Sequence, residues 1–141
     1  MKILISTPIQ KNFREVFAQF NLKLFEALKP PVVNLVVERF DGCKKGDEVH
    51  LKVAGQRWVS HITDYYESED EIYFVDRGVI IPPPLKHWLH VHRIERTGNN
   101  MCNVVDDIEY STGNAFMDKL IYPALYAMFS MRKSIYKREL S

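Results

Sequence analysis

The chain has 141 residues and a mass of 16.6 kDa, the size of one domain, and a chain this long buries roughly 68–70% of its unfolded surface, enough for a core without staples. Its 46% hydrophobic and 26% charged residues exclude general disorder. With 19 basic against 18 acidic side chains the net charge is +1, so no overall field favours nucleic acid or an anionic membrane, and no apolar run approaches the roughly 20 residues that a transmembrane helix needs.

Residues 2–9 alternate as a strand that Pro8 ends, and the apolar stretch is too short for a signal-peptide core. Asn12 reads as a helix N-cap, with Glu15 placed to complete a capping box. Phe13, Val16, Phe17 and Phe20 follow at helical spacing. Asn21 caps a second short helix carrying Leu24, Phe25 and Leu28, which Pro30-Pro31 ends. From Val32 the period becomes two. Val33, Leu35 and Val37 form one strand; Val49, Leu51 and Val53 form the next, and Gly55-Gln56 suits a tight hairpin into a strand from Trp58 to Tyr66. Glu71 to Val79 is a further strand, and Pro82-Pro83-Pro84 forbids sheet after it. Trp88 to Arg96 and Met101 to Ser111 make a last hairpin around Gly98-Asn99. Residues 114–137 carry the longest helical pattern, capped by Asn114, with Phe116, Leu120, Ala124, Met128, Met131 and Ile135 on one face. Pro123 falls inside it and removes one backbone donor. The basic end, Arg132-Lys133 and Lys137-Arg138, complements the helix dipole. Cys43 and Cys102 form no C-x-x-C pair. A reduced, cytoplasmic protein is expected.

The order strand, two short helices, six antiparallel strands and a long C-terminal helix resembles the START-related helix-grip (SRPBCC) superfamily. Local similarity to its small bacterial polyketide-cyclase/dehydrase-like, ligand-binding members lies in Arg39-Phe40-Asp41-Gly42, Gly46-Asp47-Glu48-Val49-His50-Leu51, Glu71-Ile72-Tyr73-Phe74-Val75-Asp76, His90-Val91-His92-Arg93-Ile94-Glu95 and Leu120-Ile121-Tyr122-Pro123-Ala124-Leu125-Tyr126. The resemblance spans the chain, residues 1–141 as a single helix-grip domain of the α+β class. It implies a seven-stranded curved antiparallel sheet (β-α-α-β6-α) wrapped around the terminal helix, with an apolar cavity between them. Family members bind lipids, sterols, polyketides or other hydrophobic molecules there, and a minority act on them as enzymes. Fold alone does not choose among these.

Strand alternation assigns the faces. Setting Thr97 opposite Asn100 places Leu89, Val91, Arg93, Val104, Asp106, Ile108 and Tyr110 on the more apolar face, taken to be the inner one. Trp88, His90, His92 and Ile94 then face outward with Asp107. The preceding hairpin puts Trp58, Ser60 and Ile62 inside. In the fifth strand either Tyr73, Val75 and Arg77 or Ile72, Phe74 and Asp76 point inward, and a one-residue bulge would reverse any of these faces. The candidate ligand-binding residues are therefore Trp58, Ser60, Ile62, Val91, Arg93 and Val104 with Asp106, Ile108 and Tyr110 from the sheet. Leu120, Ala124 and Met128 join them from the helix.

Arg93 and Asp106 are either a polar anchor for a ligand head group or a sheet-end salt bridge. Tyr110, Tyr122 and Tyr126 either orient a ligand or pack. His90 and His92 with Asp107 lack a firmly placed third ligand, so no metal is expected, nor any other cofactor. No phosphate loop, nucleophile elbow or H-E-x-x-H motif is present. The leading expectation is binding of a small hydrophobic molecule, lipid, polyketide-like or aromatic, with no nucleic-acid partner and no stable membrane insertion. A cyclase or dehydratase on the same site, and a protein-interaction module, are the alternatives.

Overall fold

In the computed structural model, which describes residues 1–141, the chain begins with strand β1 (Lys2–Ile9), followed by helices α1 (Phe13–Ala18) and α2 (Leu22–Ala27). Six strands follow: β2 (Leu35–Phe40), β3 (Glu48–Val53), β4 (Gln56–Glu67), β5 (Glu71–Ile80), β6 (His87–Gly98) and β7 (Met101–Ser111). Helices α3 (Ala115–Ser130) and α4 (Arg132–Leu140) complete the chain. The strands form one antiparallel seven-stranded sheet in the order β1-β7-β6-β5-β4-β3-β2. This is the α+β helix-grip arrangement expected from the element order. No helix is long and apolar enough to cross a membrane.

Local chemistry explains the boundaries. Asn12 accepts a hydrogen bond from the Arg14 amide, and Asn21 accepts from that of Leu24, each satisfying a donor that the first helical turn leaves free. Pro8 is accommodated within β1 because β1 is an edge strand, where a missing donor can face away from the sheet. The β3–β4 turn falls at Ala54-Gly55, one residue earlier than expected. Both residues adopt positive φ (51° and 80°), as the hairpin turn that matches strand twist requires.

Two regions depart from the expected faces. Between Arg96 and Gly98 the β6–β7 ladder contains a bulge, after which Ile94 pairs with Val104, His92 with Asp106, His90 with Ile108 and Trp88 with Tyr110. The extra residue reverses every β6 side chain relative to β7. Trp88, His90, His92 and Ile94 consequently share the inner face with Val104, Asp106, Ile108 and Tyr110, while Val91 and Arg93 point to the opposite side. Arg93 there lies 3.7 Å from both Glu71 and Asp107, and the expected Arg93–Asp106 pair does not form. In β5 the open choice resolves to Ile72, Phe74 and Asp76 inward.

The second departure is helical. The terminal helix breaks at Met131, and Pro123 remains inside α3. The face toward the sheet carries Ile121, Leu125, Met128 and Phe129, continued by Arg132, Tyr136 and Leu140 in α4. Leu120 is 60% exposed and Phe116 74%, and Ala124 is also exposed. Almost every turn of α3 offers an apolar side chain in several directions, so periodicity alone did not select the buried one. The rotation is set by contacts outside the helix: Thr112 donates to Asp118 Oδ1 through its amide (2.7 Å) and hydroxyl (2.6 Å), and the Tyr110 hydroxyl donates to the Asp118 carbonyl at 2.7 Å.

The core is built in two parts. One gathers Ile9, Phe13, Val16, Leu24, Ile72, Ile94, Val104 and Tyr136 beneath α1, α2 and α4. The other gathers Ile3, Ile5, Trp88, Ile108, Tyr110 and Phe129 beneath α3.

Candidate functional site

Between the two cores the sheet and helices do not close. A cavity of about 140 Å³ remains, walled by Phe25, Leu28 and Val33 from the α2–β2 segment, Leu35 of β2, and Val49, Leu51 and Val53 of β3. Trp58 and Ser60 of β4, Trp88 of β6 and Leu125, Met128 and Phe129 of α3 complete the apolar wall. Its rings are interlocked: Trp58 and Trp88 meet edge to face at 5.2 Å, and Trp88 and Phe129 lie 5.7 Å apart. The Trp58 indole donates to Ser60 Oγ at 2.9 Å, which satisfies its buried N–H. A smaller cavity of about 40 Å³ adjoins it, lined by Phe20, Leu24, Phe40, Cys43, Ile62 and Phe74 among others. Asp76, His92 and Arg132 line both.

One stretch of this wall is charged. Two neighbouring rows of the inner face hold Asp76 opposite His90 and His92 opposite Asp106. Each carboxylate is thereby diagonal to an imidazole. His90 Nε2 donates to Asp106 Oδ1 at 2.9 Å, and from the helical side Arg132 Nη1 and the Tyr136 hydroxyl reach the same oxygen, each at 3.3 Å. His92 Nε2 lies 3.7 Å from Asp76 Oδ2. The two imidazoles stack with centroids 3.6 Å apart, and Phe74 stacks on His92 at 4.4 Å. Asp106 Oδ2, Asp76 Oδ1 and His92 Nε2 are buried and have no hydrogen-bond partner.

The electrostatics follow from burial and pairing. Burial opposes ionisation of Asp106, but the Arg132 charge and the His90 hydrogen bond outweigh it and hold the carboxyl at about 2. Burial, reinforced by the neighbouring His92, brings His90 down to about 4, so its imidazole is neutral near pH 7. Asp76 is likewise lowered: its burial is overcome chiefly by the neighbouring His92, with smaller help from His90 and Ser60. Burial pushes the Tyr136 hydroxyl above its ordinary value. The site thus presents two carboxylates, one guanidinium and adjacent imidazoles at the edge of a largely apolar chamber.

Of the residues expected from the sequence, Trp58, Ser60 and Met128 line the larger cavity and Ile62 the smaller. Asp106 anchors the charged cluster. Val104, Ile108 and Tyr110 are on the inner face but packed inside the two cores; the Tyr110 hydroxyl is spent on the Asp118 carbonyl. Val91 and Arg93 belong to the outer face, for the bulge reversed their strand, and Leu120 and Ala124 point to solvent, for α3 is rotated. Tyr126 is 43% exposed and does not reach the chamber. His90, His92 and Arg132 were missed as lining residues, and Asp76 comes from one of the two faces left open for β5. Arg132 had a readable signal: it continues the Leu125, Met128, Phe129 stripe at helical spacing, toward Tyr136.

Comparison with protein-family models returns no match, and comparison with curated proteins returns none either. Solved structures do match. A hypothetical protein of Helicobacter pylori superposes with a TM-score of 0.76 at 11% identity, over 100% of this chain and 88% of that one. XoxI of Bacillus cereus gives 0.66 at 15% identity, over 99% and 94%. Norcoclaurine synthase of Thalictrum flavum, in complex with dopamine and hydroxybenzaldehyde, gives 0.66 at 12% identity, over 96% and 84%. These likenesses establish the fold.

Proposed function

We propose that the protein binds a small, largely apolar molecule in the chamber between sheet and terminal helices, with a polar end on the Asp76–His92–Arg132 wall. The observation that carries this is a cavity of about 140 Å³ whose walls are mainly aromatic and aliphatic, with the charged Asp76–His92–Arg132 side and Lys29 also in its lining. An engineered cavity of about 150 Å³ accepts benzene, so the volume suits a single ring or a short chain. A sterol or multi-ring polyketide would need the walls to move. The same fold holds dopamine and hydroxybenzaldehyde in norcoclaurine synthase, both single-ring compounds. Burial at about 25 cal/mol per Å² supplies the affinity, and the charged wall supplies orientation.

Both tryptophans of the chain, Trp58 and Trp88, line the chamber, so their fluorescence reports occupancy directly. Titration with a panel of single-ring phenols, amines and carboxylates is expected to give a saturable change, confirmed by a one-to-one mass shift in native mass spectrometry. Leu51→Phe, which narrows the chamber, is expected to weaken it. Absence of any saturable response across the panel and short-chain fatty acids would overturn the reading.

A second reading, an enzyme acting on the bound molecule, is favoured by one feature. His92 presents a ring nitrogen without a partner at the cavity wall, the position of a general base. Turnover of a bound carbonyl compound that His92→Gln removes, with binding retained, is its test.

A further inference from the structure

The charged wall contains a conspicuous imbalance. Asp106 Oδ1 accepts three hydrogen bonds, whereas its Oδ2, the Nε2 of His92 and the Oδ1 of Asp76 are buried with none. Buried polar atoms are nearly always satisfied, and carboxylate oxygens and imidazole nitrogens are the atom types that ligate metal ions. One ligand atom each from His90, His92 and Asp106 lies within 4.8 Å of the other two. We propose that this cluster is a binding site for one divalent first-row transition-metal ion, held by His90, His92 and Asp106 and flanked by Asp76.

The fold produces this set by simple means. His90 and His92 are two apart on β6 and so share a face, and the register set by the Arg96/Gly98 bulge brings Asp106 opposite His92. The sequence had paired these histidines with Asp107, on the other face, and the lack of a placed third ligand was the reason to expect no metal. That reason disappears with the register. Arg132 and Tyr136 bind the Oδ1 edge of Asp106 and leave Oδ2 free, as hydrogen bonds behind a metal-ligating carboxylate do. The imidazoles lie face to face, so an ion in the plane of both requires His92 to turn; the turn breaks no hydrogen bond, because Nε2 makes none. Mixed imidazole and carboxylate donors suit Zn²⁺, Fe²⁺, Co²⁺ or Ni²⁺ over all-oxygen Ca²⁺ and Mg²⁺ or thiolate-seeking Cu⁺. Three protein ligands leave a position open, and His90 and His92 line the apolar chamber.

The inference stands apart from the organic ligand, and its test uses none. Full-length protein stripped with EDTA is titrated with Co²⁺ and followed by visible absorption, then challenged with Zn²⁺. One equivalent of Co²⁺ is expected, with ligand-field bands that Zn²⁺ removes. His92→Phe keeps the stack on Phe74 but loses the donor, and is expected to weaken binding by more than the roughly 10–100-fold that losing a supporting residue costs; Asp106→Asn is expected to do likewise. The control is a separate group on the outer side of β3 and β4, where His50 and His61 approach Glu48 Oε1 at 2.9 and 3.5 Å. His61→Ala is expected to leave binding unchanged. Paramagnetic shifts of the histidine rings in Co²⁺-loaded wild-type protein identify the ligands even where a variant does not fold. No uptake by folded wild-type protein, or uptake that follows His61 and not His92, overturns the proposal.

Discussion

Arg132 illustrates how much one buried side chain carries. Its guanidinium lies 3.3 Å from Asp106 Oδ1 and 4.7 Å above the Phe129 ring, and removing it leaves a carboxylate that is 1% exposed without its cation. Arg132→Met is expected to destabilise the fold by about 3–5 kcal/mol, while Asp106→Leu/Arg132→Met recovers much of that loss, because an apolar pair replaces an ion pair at little net cost. Urea unfolding of the two variants measures the difference. Asp118 works through a different balance: the Thr112 hydroxyl and amide bond it and lower its pKa. A lowered carboxyl contributes stability above its ordinary pKa and loses it as pH falls through the folded value. The stability gap between wild type and Asp118→Asn is therefore expected to be present at pH 7 and to close below pH about 4, read from urea midpoints against pH. Cys43 is pushed up to about 12, chiefly by burial; since the thiolate is the reactive form, its alkylation by iodoacetamide at pH 8 is expected to be far slower than that of an unfolded control. At this scale the sequence made the residue types legible and left their partners hidden. His90 and Asp106 were both singled out from the chain, but only the ladder joined them to each other and to Arg132.

Elements were readable where local chemistry decides them. Asn12, Asn21 and Asn114 each accept a bond from the first helical turn as expected, and the alternation of Val49, Leu51, Trp58 and Ser60 placed their faces correctly. Faces failed where a nonlocal event intervened. The β6 assignment was reversed by one extra residue near Thr97, and nothing in the run Glu95-Arg96-Thr97-Gly98 distinguishes a bulged strand from a regular one. The orientation of α3 was set by Asp118 and by the burial of Phe129, Arg132 and Tyr136, two polar-tipped side chains that a hydrophobic pattern counts against the inner face. Substitution separates the two assignments. Phe129→Ala is expected to cost about 3–5 kcal/mol through the cavity it leaves, while Leu120→Lys stays within about 0.5 kcal/mol, as exposed positions do. A filled interior beside an exposed apolar patch would favour the alternative of an interaction module; Phe116 and Leu120 are exposed, and the interior holds a cavity of about 140 Å³.

Across the whole molecule the two cores brace a chamber that neither fills, and occupancy by a ligand links directly to global stability. A single-ring binder at 100 times its Kd is expected to stabilise the fold by about 2.7 kcal/mol, seen as a higher Tm in wild-type protein and smaller at the same ligand concentration in Leu51→Phe. The sequence by itself determined the element order, the helix caps and the buried and exposed faces of β3, β4 and β7, because caps, turns and period are short-range properties. From these, and from the resemblance they support, the α+β helix-grip arrangement followed. Only the tertiary structure decided which polar groups meet inside. That choice rests on the β6–β7 register and the rotation of α3, and a shift of one residue or a fraction of a turn changes the inward set completely while leaving the local pattern of the chain unaltered.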